Sequence, residues 1–267
     1  MQLISPAKII AFEKTFKELS PHLHRFKNAV VLEFGCDGFL FSARRIKSMG
    51  AKKVIATNLK IEHIAKRIGL GLDRIDKVNI SDGIELMACD ATKTGFDPGS
   101  FDIVFGRALL EHITDLSMML SETYRILKPG GFFYFDGGPL WMCGHGHHLW
   151  LQSSRATRYN FVENNPIKPY EHLLYDAAGL ADALGRRGIN DKEASEISEY
   201  VYYSKSQNRL RISEIDERFR KSKLAYHLKK FTSNKVIPDE VRAKYPGDEL
   251  SVSRISVHGF KPQLESS

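Results

Sequence analysis

Short apolar runs separated by amphipathic stretches recur along the first half of the chain. Residues 30–34 form such a run, broken only by Glu33, and they lead into a turn that contains Gly35 and Gly38. From residue 39 to 49 the apolar positions return at helical spacing. The pattern predicts a strand, a tight turn and a helix, with glycines that let a ligand approach the backbone at the end of the strand.

The same alternation continues as far as residue 136. A helical lead-in is predicted over residues 6–27, a second helix over residues 61–70, and a third that begins at the cap residue Asp115. Further strands are predicted at residues 53–57, 83–89, 101–105 and 132–135. Strands that alternate with helices indicate an α/β fold with a doubly wound, mostly parallel sheet covered on both faces.

The alternation stops after residue 136. A loop rich in histidine and aromatic residues follows, then a predicted helix near residues 170–184 and a charged stretch. A helix over residues 213–220 and strands over 223–231 and 250–260 complete a sheet of seven strands. We therefore expect a single domain, 1–267, with an inserted lid after the fifth strand. Its segments are a helical lead-in (1–27), a cofactor-binding half (28–136), an acceptor-side insertion (137–211) and a C-terminal helix with two strands (212–267).

Composition changes this picture little. An apolar content of 42% in 267 residues is sufficient for a large core. The net charge of +7 is spread along the chain, which favours a solvated basic surface over a nucleic-acid footprint. The three cysteines lack paired spacing, and neither a signal-peptide core nor an apolar run of the ~18 residues that a membrane helix requires is present. We expect a cytoplasmic protein with reduced thiols and no integral membrane segment.

In a sheet of this kind, ligands lie across the carboxyl ends of the strands. Acidic residues and glycines occupy those positions, without a lysine or a phosphate-binding loop pattern. This composition suits a ligand that is cationic or rich in hydroxyl and amino groups. The residues concerned are Glu33, Gly35, Asp37, Asn58, Asp90 and Gly106.

Five short motifs in this half of the chain carry a family resemblance. They are Glu-Phe-Gly-Cys-Asp-Gly (33–38), Cys-Asp-Ala (89–91), Phe-Asp-Ile-Val-Phe (101–105), Leu-Glu-His-Ile (110–113) and Leu-Lys-Pro-Gly-Gly (127–131). In this order, the motifs resemble those of the class I S-adenosylmethionine-dependent methyltransferases over residues 28–136. The resemblance implies a Rossmann-like fold, methyltransferase activity and S-adenosylmethionine as cofactor.

The resemblance also implies positions for the cofactor. The loop from Gly35 to Gly38 would hold its methionine part, Asn58 its ribose hydroxyls and Asp90 its adenine amino group. The full set of predicted cofactor-binding residues is Glu33, Gly35, Cys36, Asp37, Gly38, Asn58, Asp90, Ala91 and Gly106.

Two positions depart from the family pattern, because the loop has one glycine fewer than usual and Asn58 replaces an acidic residue. Other interpretations remain for two residues: Asp37 as a cap of the next helix, and Asp90 as an ordinary turn residue. We interpret Glu111 and His112 as supporting or helix-start residues.

The loop from residue 138 to 150 contains three histidines within four residues. A metal site that uses Cys143 is one interpretation, but the spacing is not that of typical metal ligands, and we expect no metal. An exposed, mobile loop is a second interpretation. We favour a third, in which the loop lines the acceptor pocket. With residues 170–174, it resembles a subset of bacterial methyltransferases associated with surface polysaccharide or small-molecule modification.

The expected reaction is methyl transfer to a hydroxyl of a small molecule or carbohydrate. His148 and His172 are the candidate catalytic bases, because an imidazole can accept the hydroxyl proton near neutral pH. An N-methyltransferase acting on RNA or protein is an alternative, although residues 106–109 lack an Asn-Pro-Pro-Tyr-type motif and nucleic acid is not the expected partner. A catalytically inactive, methyltransferase-like binding module is the other alternative. The identity of the acceptor and the oligomeric state stay open.

Overall fold

A computed structural model of the protein describes residues 6–70, 76–81 and 83–263, with side chains described from residue 12 onward. Its strands are β1 (Val30–Phe34), β2 (Lys53–Asn58), β3 (Lys77–Ser81), β4 (Ile84–Ala88), β5 (Phe101–Gly106), β6 (Leu127–Gly137), β7 (Trp150–Gln152), β8 (Arg158–Asn160), β9 (Ala225–Thr232) and β10 (Val252–Phe260). Eight of the described strands form one sheet in the order β3-β4-β2-β1-β5-β6-β10-β9, and β7 and β8 form a separate hairpin.

Helices cover this sheet on both faces. They are α1 (Pro6–Glu18), α2 (Phe41–Ser48), α3 (Glu62–Arg67), α4 (Leu116–Ile126), α5 (Glu171–Leu174), α6 (Ala177–Gly185), α7 (Asp191–Tyr203), α8 (Ile212–Lys221) and α9 (Asp239–Lys244). A short 3₁₀ helix, Ser20–Phe26, follows α1. As predicted, Asp115 caps α4, since its carboxylate accepts a hydrogen bond from the backbone N–H of Met118 at 2.9 Å.

The central strands β4, β2, β1, β5 and β6 run parallel to one another. At one edge β10 pairs antiparallel with both β6 and β9, and at the other β3 pairs antiparallel with β4. The strand order reverses between β1 and β5. Ligands bind at the carboxyl ends of the strands at such a reversal, so this edge of the sheet is the place to look for a site.

Side chains that alternate along β1 contribute to two apolar cores. Leu32 and Phe34 pack in a core with α4 and α8, while Val31 packs in a second core with α2 and the aromatic residues that precede β1. Because successive side chains of a strand point to opposite faces, an almost wholly apolar strand requires cover on both sides. This requirement explains why β1 is central.

The insertion after β6 has an apolar core of its own. Its buried members come from the β7–β8 hairpin, α6 and α7, and they are Leu149, Tyr159, Ile167, Leu180, Leu184, Ala194, Ile197 and Val201. A smaller cluster around Tyr170 joins the insertion to α9, and the Tyr170 hydroxyl donates a hydrogen bond to the Leu250 carbonyl at 3.0 Å. The insertion is therefore a packed unit that is attached to the sheet.

The structure confirms the fold class and all seven predicted strands. An eighth strand, β3, was not predicted. It lies at the edge of the sheet, and its residues alternate between exposed and partly buried, so no run of buried apolar residues marks it. The helix predicted near residues 170–184 consists of two helices, since Asp176 starts α6 as a cap on the N–H of Gly179. The hairpin and α7 were also missed. The division of the chain into four segments stays a prediction.

Within the described ranges, no helix combines the length and apolar character that crossing a membrane would require.

Candidate active site

The turn after β1 combines a left-handed glycine with a capped helix. Gly35 has φ of +65°, a conformation that costs a residue with a side chain about 1–2 kcal/mol. The Asp37 carboxylate accepts hydrogen bonds from the backbone N–H groups of Phe39 at 2.9 Å and Ser42 at 3.2 Å. Asp37 therefore binds an N–H group in the first turn of α2, but the N-cap position itself is held by Leu40, and Asp37 stays within the predicted cofactor loop.

Asn58 joins the end of β2 to this loop. Its amide donates to the Cys36 carbonyl at 3.2 Å, and its side-chain oxygen accepts from the N–H of Leu59 at 2.9 Å. At the end of β4, the Asp90 carboxylate accepts from both the N–H and the hydroxyl of Thr92, at 2.8 and 2.7 Å. Both residues lie at the carboxyl ends of their strands, where ribose and adenine contacts were predicted. Those contacts stay predictions, as does that of the neighbouring Ala91.

Two charged side chains near this loop have polar atoms without partners among the described residues. Glu33 is 1% exposed, and its Oε2 atom accepts no hydrogen bond. Burial, with the nearby Asp37 carboxylate, raises the pKa of Glu33 to about 8, and the guanidinium of Arg107 acts in the opposite direction. The Nε atom of Arg107 is buried and also lacks a partner. A carboxylate and a guanidinium fit the ammonium and carboxylate groups at the amino-acid end of S-adenosylmethionine.

Leu109 connects this loop to the segment that follows β5. A Cβ atom added at Gly35 would lie 3.0 Å from Leu109 Cδ1, and one added at Gly106 would lie 2.4 Å from Leu109 Cδ2. At Gly38, an added Cβ would lie 2.5 Å from Arg67 Nη1. The three glycines therefore permit close packing around the loop, and Leu109 places residues 107–115 next to it.

Asp136, near the end of β6, holds this segment in place. Its Oδ1 atom accepts from the N–H of Ala108 at 2.6 Å, and its carbonyl accepts from the N–H groups of Leu109 and Leu110 at 2.9 and 3.2 Å. Ala108 has φ of +48°, a conformation rarely adopted by residues other than glycine, asparagine and aspartate. The bonds to Asp136 help to maintain this turn.

The same carboxylate belongs to a buried ionic network. Its Oδ2 atom accepts from Arg254 at 2.6 Å, from the Thr15 hydroxyl at 3.0 Å and from the Tyr134 hydroxyl at 3.1 Å. Arg254 also pairs with Glu18 at 2.8 Å. The network therefore links α1, β6 and β10 immediately behind the segment that follows β5.

Glu111, His112 and His148 lie together at the carboxyl ends of β5 and β6, and we call them the Glu111 cluster. His112 Nε2 and His148 Nε2 are each 3.9 Å from Glu111 Oε1. The Glu111 side chain is 3% exposed, and neither of its oxygens has a hydrogen-bond partner in the described part of the chain. Burial raises the pKa of Glu111 to about 7 and lowers the pKa of His148 to about 3.

The last segment of the insertion holds this cluster in position. The Asn208 amide donates to the carbonyls of Leu110 at 2.6 Å and Ile113 at 2.8 Å, and its backbone N–H donates to the Glu111 carbonyl at 2.7 Å. His112 Nδ1 lies 2.6 Å from the Ser206 carbonyl oxygen. Residues 206–208 thus hold the turn that carries Glu111 through hydrogen bonds. The sequence did not predict this role.

The other histidines of the insertion have partners elsewhere. His172 is 1% exposed, its Nε2 lies 2.8 Å from the Trp141 carbonyl oxygen, and burial lowers its pKa to about 4. His147 is fully buried, and its Nδ1 atom accepts from the N–H of Leu149 at 3.1 Å. The structure therefore brings His148, but neither His147 nor His172, to within ion-pair distance of Glu111. The catalytic roles of His148 and His172 stay predictions.

Aromatic side chains of the insertion mostly fill its interior. Tyr159 and Tyr170 are buried, whereas Trp150 is 56% exposed. The ring of Phe161 lies 5.1 Å from that of His148 and also lines an open cavity of about 270 Å³, together with Pro139, His145, Lys235 and Arg254. Phe161 therefore lies between this cavity and the His148 ring.

Comparison with known proteins agrees with this architecture. Residues 32–135 match the model of the family described as a methyltransferase domain. The structure of an S-adenosylmethionine-dependent methyltransferase from Mesorhizobium loti has the same fold, with a TM-score of 0.51 at 16% identity over 91% of this chain and 97% of the other. Residues 32–135 therefore form a methyltransferase domain of the class I S-adenosylmethionine-dependent kind, as the five motifs predicted.

Two curated relatives of this methyltransferase match shorter segments. Sterol 4-C-methyltransferase strm-1 of Caenorhabditis elegans is 30% identical over 125 residues, which are 45% of this chain and 36% of the relative. The ubiquinone/menaquinone biosynthesis C-methyltransferase UbiE of Desulfotalea psychrophila is 40% identical over 60 residues, or 22% of this chain and 24% of the relative. The chain therefore matches 36% of the length of the first relative and 24% of that of the second.

S-adenosylmethionine is the cofactor of this methyltransferase, as predicted. The sequence interpretation gave Glu111 and His112 only a supporting role, although they lie in one of the five motifs. It missed the unpartnered Nε atom of Arg107 altogether. The motif Leu-Glu-His-Ile was the available signal for the first two, because it places an acid and an imidazole directly after a strand that ends at the ligand-binding edge.

Proposed function

We propose that this methyltransferase transfers the methyl group of S-adenosylmethionine to a hydroxyl oxygen of a small molecule or carbohydrate bound beside the Glu111 cluster. One observation carries the proposal. Leu109 packs against Gly35 of the cofactor loop, and Glu111, two residues further along the chain, presents an unpartnered carboxyl group beside His148. Cofactor loop and polar cluster are therefore neighbours at one edge of the sheet.

The cofactor, when bound, supplies a methyl carbon attached to a positively charged sulfur. Because the leaving group is already activated, the protein must chiefly align the acceptor and exclude water. The insertion is suited to both tasks, since residues 206–208 attach it to the turn after β5 and Phe161 covers His148. Phe161 also borders the cavity through which an acceptor would enter.

His148, rather than His172, is the histidine that we assign to the acceptor oxygen. The His148 ring lies near both Glu111 and Phe161, and Phe161 lines the cavity. The His172 ring is enclosed by Trp141 and His147, and it is 1% exposed. His148 is therefore the candidate base that lies nearer to the cavity, with Phe161 as the intervening side chain.

C-methylation is a second candidate, and the two curated relatives support it, since both carry C-methyltransferase names. In an enol or a phenol, the carbon next to the hydroxyl-bearing carbon becomes nucleophilic once the oxygen has lost its proton. The same cluster would then act on the oxygen while carbon received the methyl group. The position of the new methyl group distinguishes the two candidates.

The proposed function is tested with methyl-labelled S-adenosylmethionine and a panel of phenols, simple glycosides and nucleotide sugars. We expect label in at least one panel member, with mass spectrometry and NMR placing the methyl group on oxygen. His148→Asn should abolish this transfer while S-adenosylhomocysteine binding, measured by calorimetry, remains within about twofold of wild type. A methyl group on carbon would establish the second candidate. Labelling of RNA or protein in place of the panel would overturn the proposal.

A further inference from the structure

The geometry of the Glu111 cluster resembles that of an incomplete coordination shell. One oxygen of Glu111 and one nitrogen each of His112 and His148 lie within 4.8 Å of one another. The two imidazole rings are nearly perpendicular, at 78°, with their centres 5.1 Å apart. Side chains on different segments thus converge on one point, although nothing in the described chain occupies it.

Glu111 is the strongest indication of a missing partner. A buried carboxylate normally accepts hydrogen bonds or pairs with a cation, because an uncompensated charge in the interior is costly. Here both oxygens are inaccessible to solvent, and neither has a partner with hydrogen-bond geometry among the described residues. The backbone N–H groups of Glu111 and Gly138 act to lower its pKa, but burial outweighs them, and the two imidazoles are too far away, at 3.9 Å, to donate hydrogen bonds. A bound cation would satisfy this carboxylate.

His112 is oriented as metal-ligating histidines are. Its Nδ1 atom is 2.6 Å from the Ser206 carbonyl oxygen, and a carbonyl can only accept a hydrogen bond. Nδ1 therefore donates to this carbonyl, which leaves Nε2, 3.9 Å from Glu111 Oε1, as the ring nitrogen available to a metal ion. A backbone carbonyl on the far side of the ring is a common arrangement in metal sites, where it fixes both the tautomer and the ring orientation.

We propose that Glu111, His112 and His148 bind a divalent transition-metal ion such as Zn²⁺ or Mn²⁺. Bonds of about 2.0–2.2 Å from nitrogen and oxygen to such an ion require the ligand atoms to be roughly 3.3 Å apart. The two 3.9 Å separations from Glu111 would each shorten by about 0.6 Å, and the histidine nitrogens, within 4.8 Å of each other, by up to about 1.5 Å. Two imidazoles and one carboxylate leave at least one coordination position open, and they suit these ions better than Mg²⁺.

The ligands differ from those that the local pattern of histidines indicates. Cys143, His145 and His147 belong to the histidine-rich loop but not to this group, and only His148 of that loop takes part. The remaining ligands come from the turn after β5. The proposed site thus departs from the expectation of no metal, and its ligands would come from two distant segments.

The role of the ion, in contrast to its binding, rests on the proposed function. At the open position it would coordinate the acceptor's hydroxyl oxygen, which loses its proton to water. With the ion bound, His148 acts on that oxygen as a ligand of the ion and not as the base that accepts the proton. That oxygen then forms a bond to the methyl carbon as the carbon–sulfur bond breaks, and the electron pair of the broken bond stays on sulfur. A positive ion next to the oxygen makes the loss of the proton easier.

The test is direct metal binding by tag-free protein that has been treated with a chelator and dialysed. Zn²⁺ is titrated by calorimetry, and Co²⁺ serves as a spectroscopic probe of the coordination. We expect one equivalent to bind with micromolar or tighter affinity. Glu111→Gln and His112→Asn should each weaken binding by at least about 100-fold, because each removes one of three ligands. The His112 side chain is 43% exposed, so His112→Asn should fold normally even if the change at the buried Glu111 causes misfolding.

His145→Asn is the matched control, because it removes an imidazole from the same loop without touching the cluster, and it should bind metal like wild type. The metal site would be refuted if the wild-type protein bound no metal. It would also be refuted if Glu111→Gln and His112→Asn bound metal like wild type while His145→Asn bound it more weakly. Different results would count against the proposed function and against the metal site. Metal binding without methyl transfer to any acceptor would count against that function alone, whereas full turnover by metal-free protein would count against the catalytic role of the ion.

Discussion

The ionic network around Asp136 yields a quantitative prediction. Asp136→Asn keeps an oxygen for the N–H of Ala108 but places an uncharged NH₂ group opposite Arg254, where a carboxylate oxygen now lies at 2.6 Å. Removing one partner of a buried ion pair costs about 3–5 kcal/mol. Because Glu18 remains on Arg254 at 2.8 Å, we expect the lower end of that range, a loss of about 3 kcal/mol in the free energy of unfolding.

For a chain of this size, about 3 kcal/mol corresponds to a fall in Tm of roughly 6–12 °C. Circular dichroism during heating measures the Tm, and urea titration gives the free energy. Asp182→Asn is the matched control, since it makes the same change in an ion pair with Arg186 whose side chains are more than 60% exposed. Such exposed pairs contribute about 0.2–1 kcal/mol. Equal losses in the two variants would refute the argument that burial makes the Asp136 pair strong.

Three further predictions follow from individual contacts. Asp90→Ala should weaken S-adenosylmethionine binding by about tenfold in calorimetry, through the loss of one charged hydrogen bond, while Asp97→Ala in the same loop should not. Gly137→Ala should abolish methyl transfer yet retain cofactor binding, because its Cβ would lie 2.5 Å from Glu111 Oε2; unchanged turnover would contradict this placement. Arg125 helps to hold the pKa of Glu122 at about 2, so the charged carboxylate stabilises the fold above pH ~4.5 and this contribution is lost as the pH falls toward 2. Glu122→Gln should therefore cost about 1–2 kcal/mol at pH 7 and nothing at pH 2, as measured by urea unfolding across this range.

Much of the fold could be predicted from local pattern. The apolar run of β1, the glycine after it and the cap at Asp115 each act over a few residues. The Pro-Gly-Gly sequence at 129–131, in contrast, lies within β6. Hydrophobic periodicity and turn chemistry are local properties, so they can be recognised without knowledge of the remaining chain. For the same reason, β3 escaped prediction, since its half-exposed residues lack the apolar pattern of a central strand.

The position of the cofactor loop could also be predicted from the sequence. Gly35, Asp37 and Asn58 all lie at strand ends, and parallel strands bring their carboxyl ends to one edge whatever the details of packing. The individual contacts of these residues could not be predicted from the sequence. The two hydrogen bonds that engage the Asn58 side chain within the protein depend on how closely β2 and the loop approach.

The sequence by itself therefore determined the class of fold, the order of the strands along the chain and the edge at which ligands bind. Only the tertiary structure decided which of three adjacent histidines faces Glu111. His148, with φ of +49°, turns toward it, whereas His147 turns into the insertion. This choice depends on contacts made by residues 206–208, which lie almost a hundred positions beyond His112. Local periodicity carries no information about such contacts, because packing between distant segments brings them together.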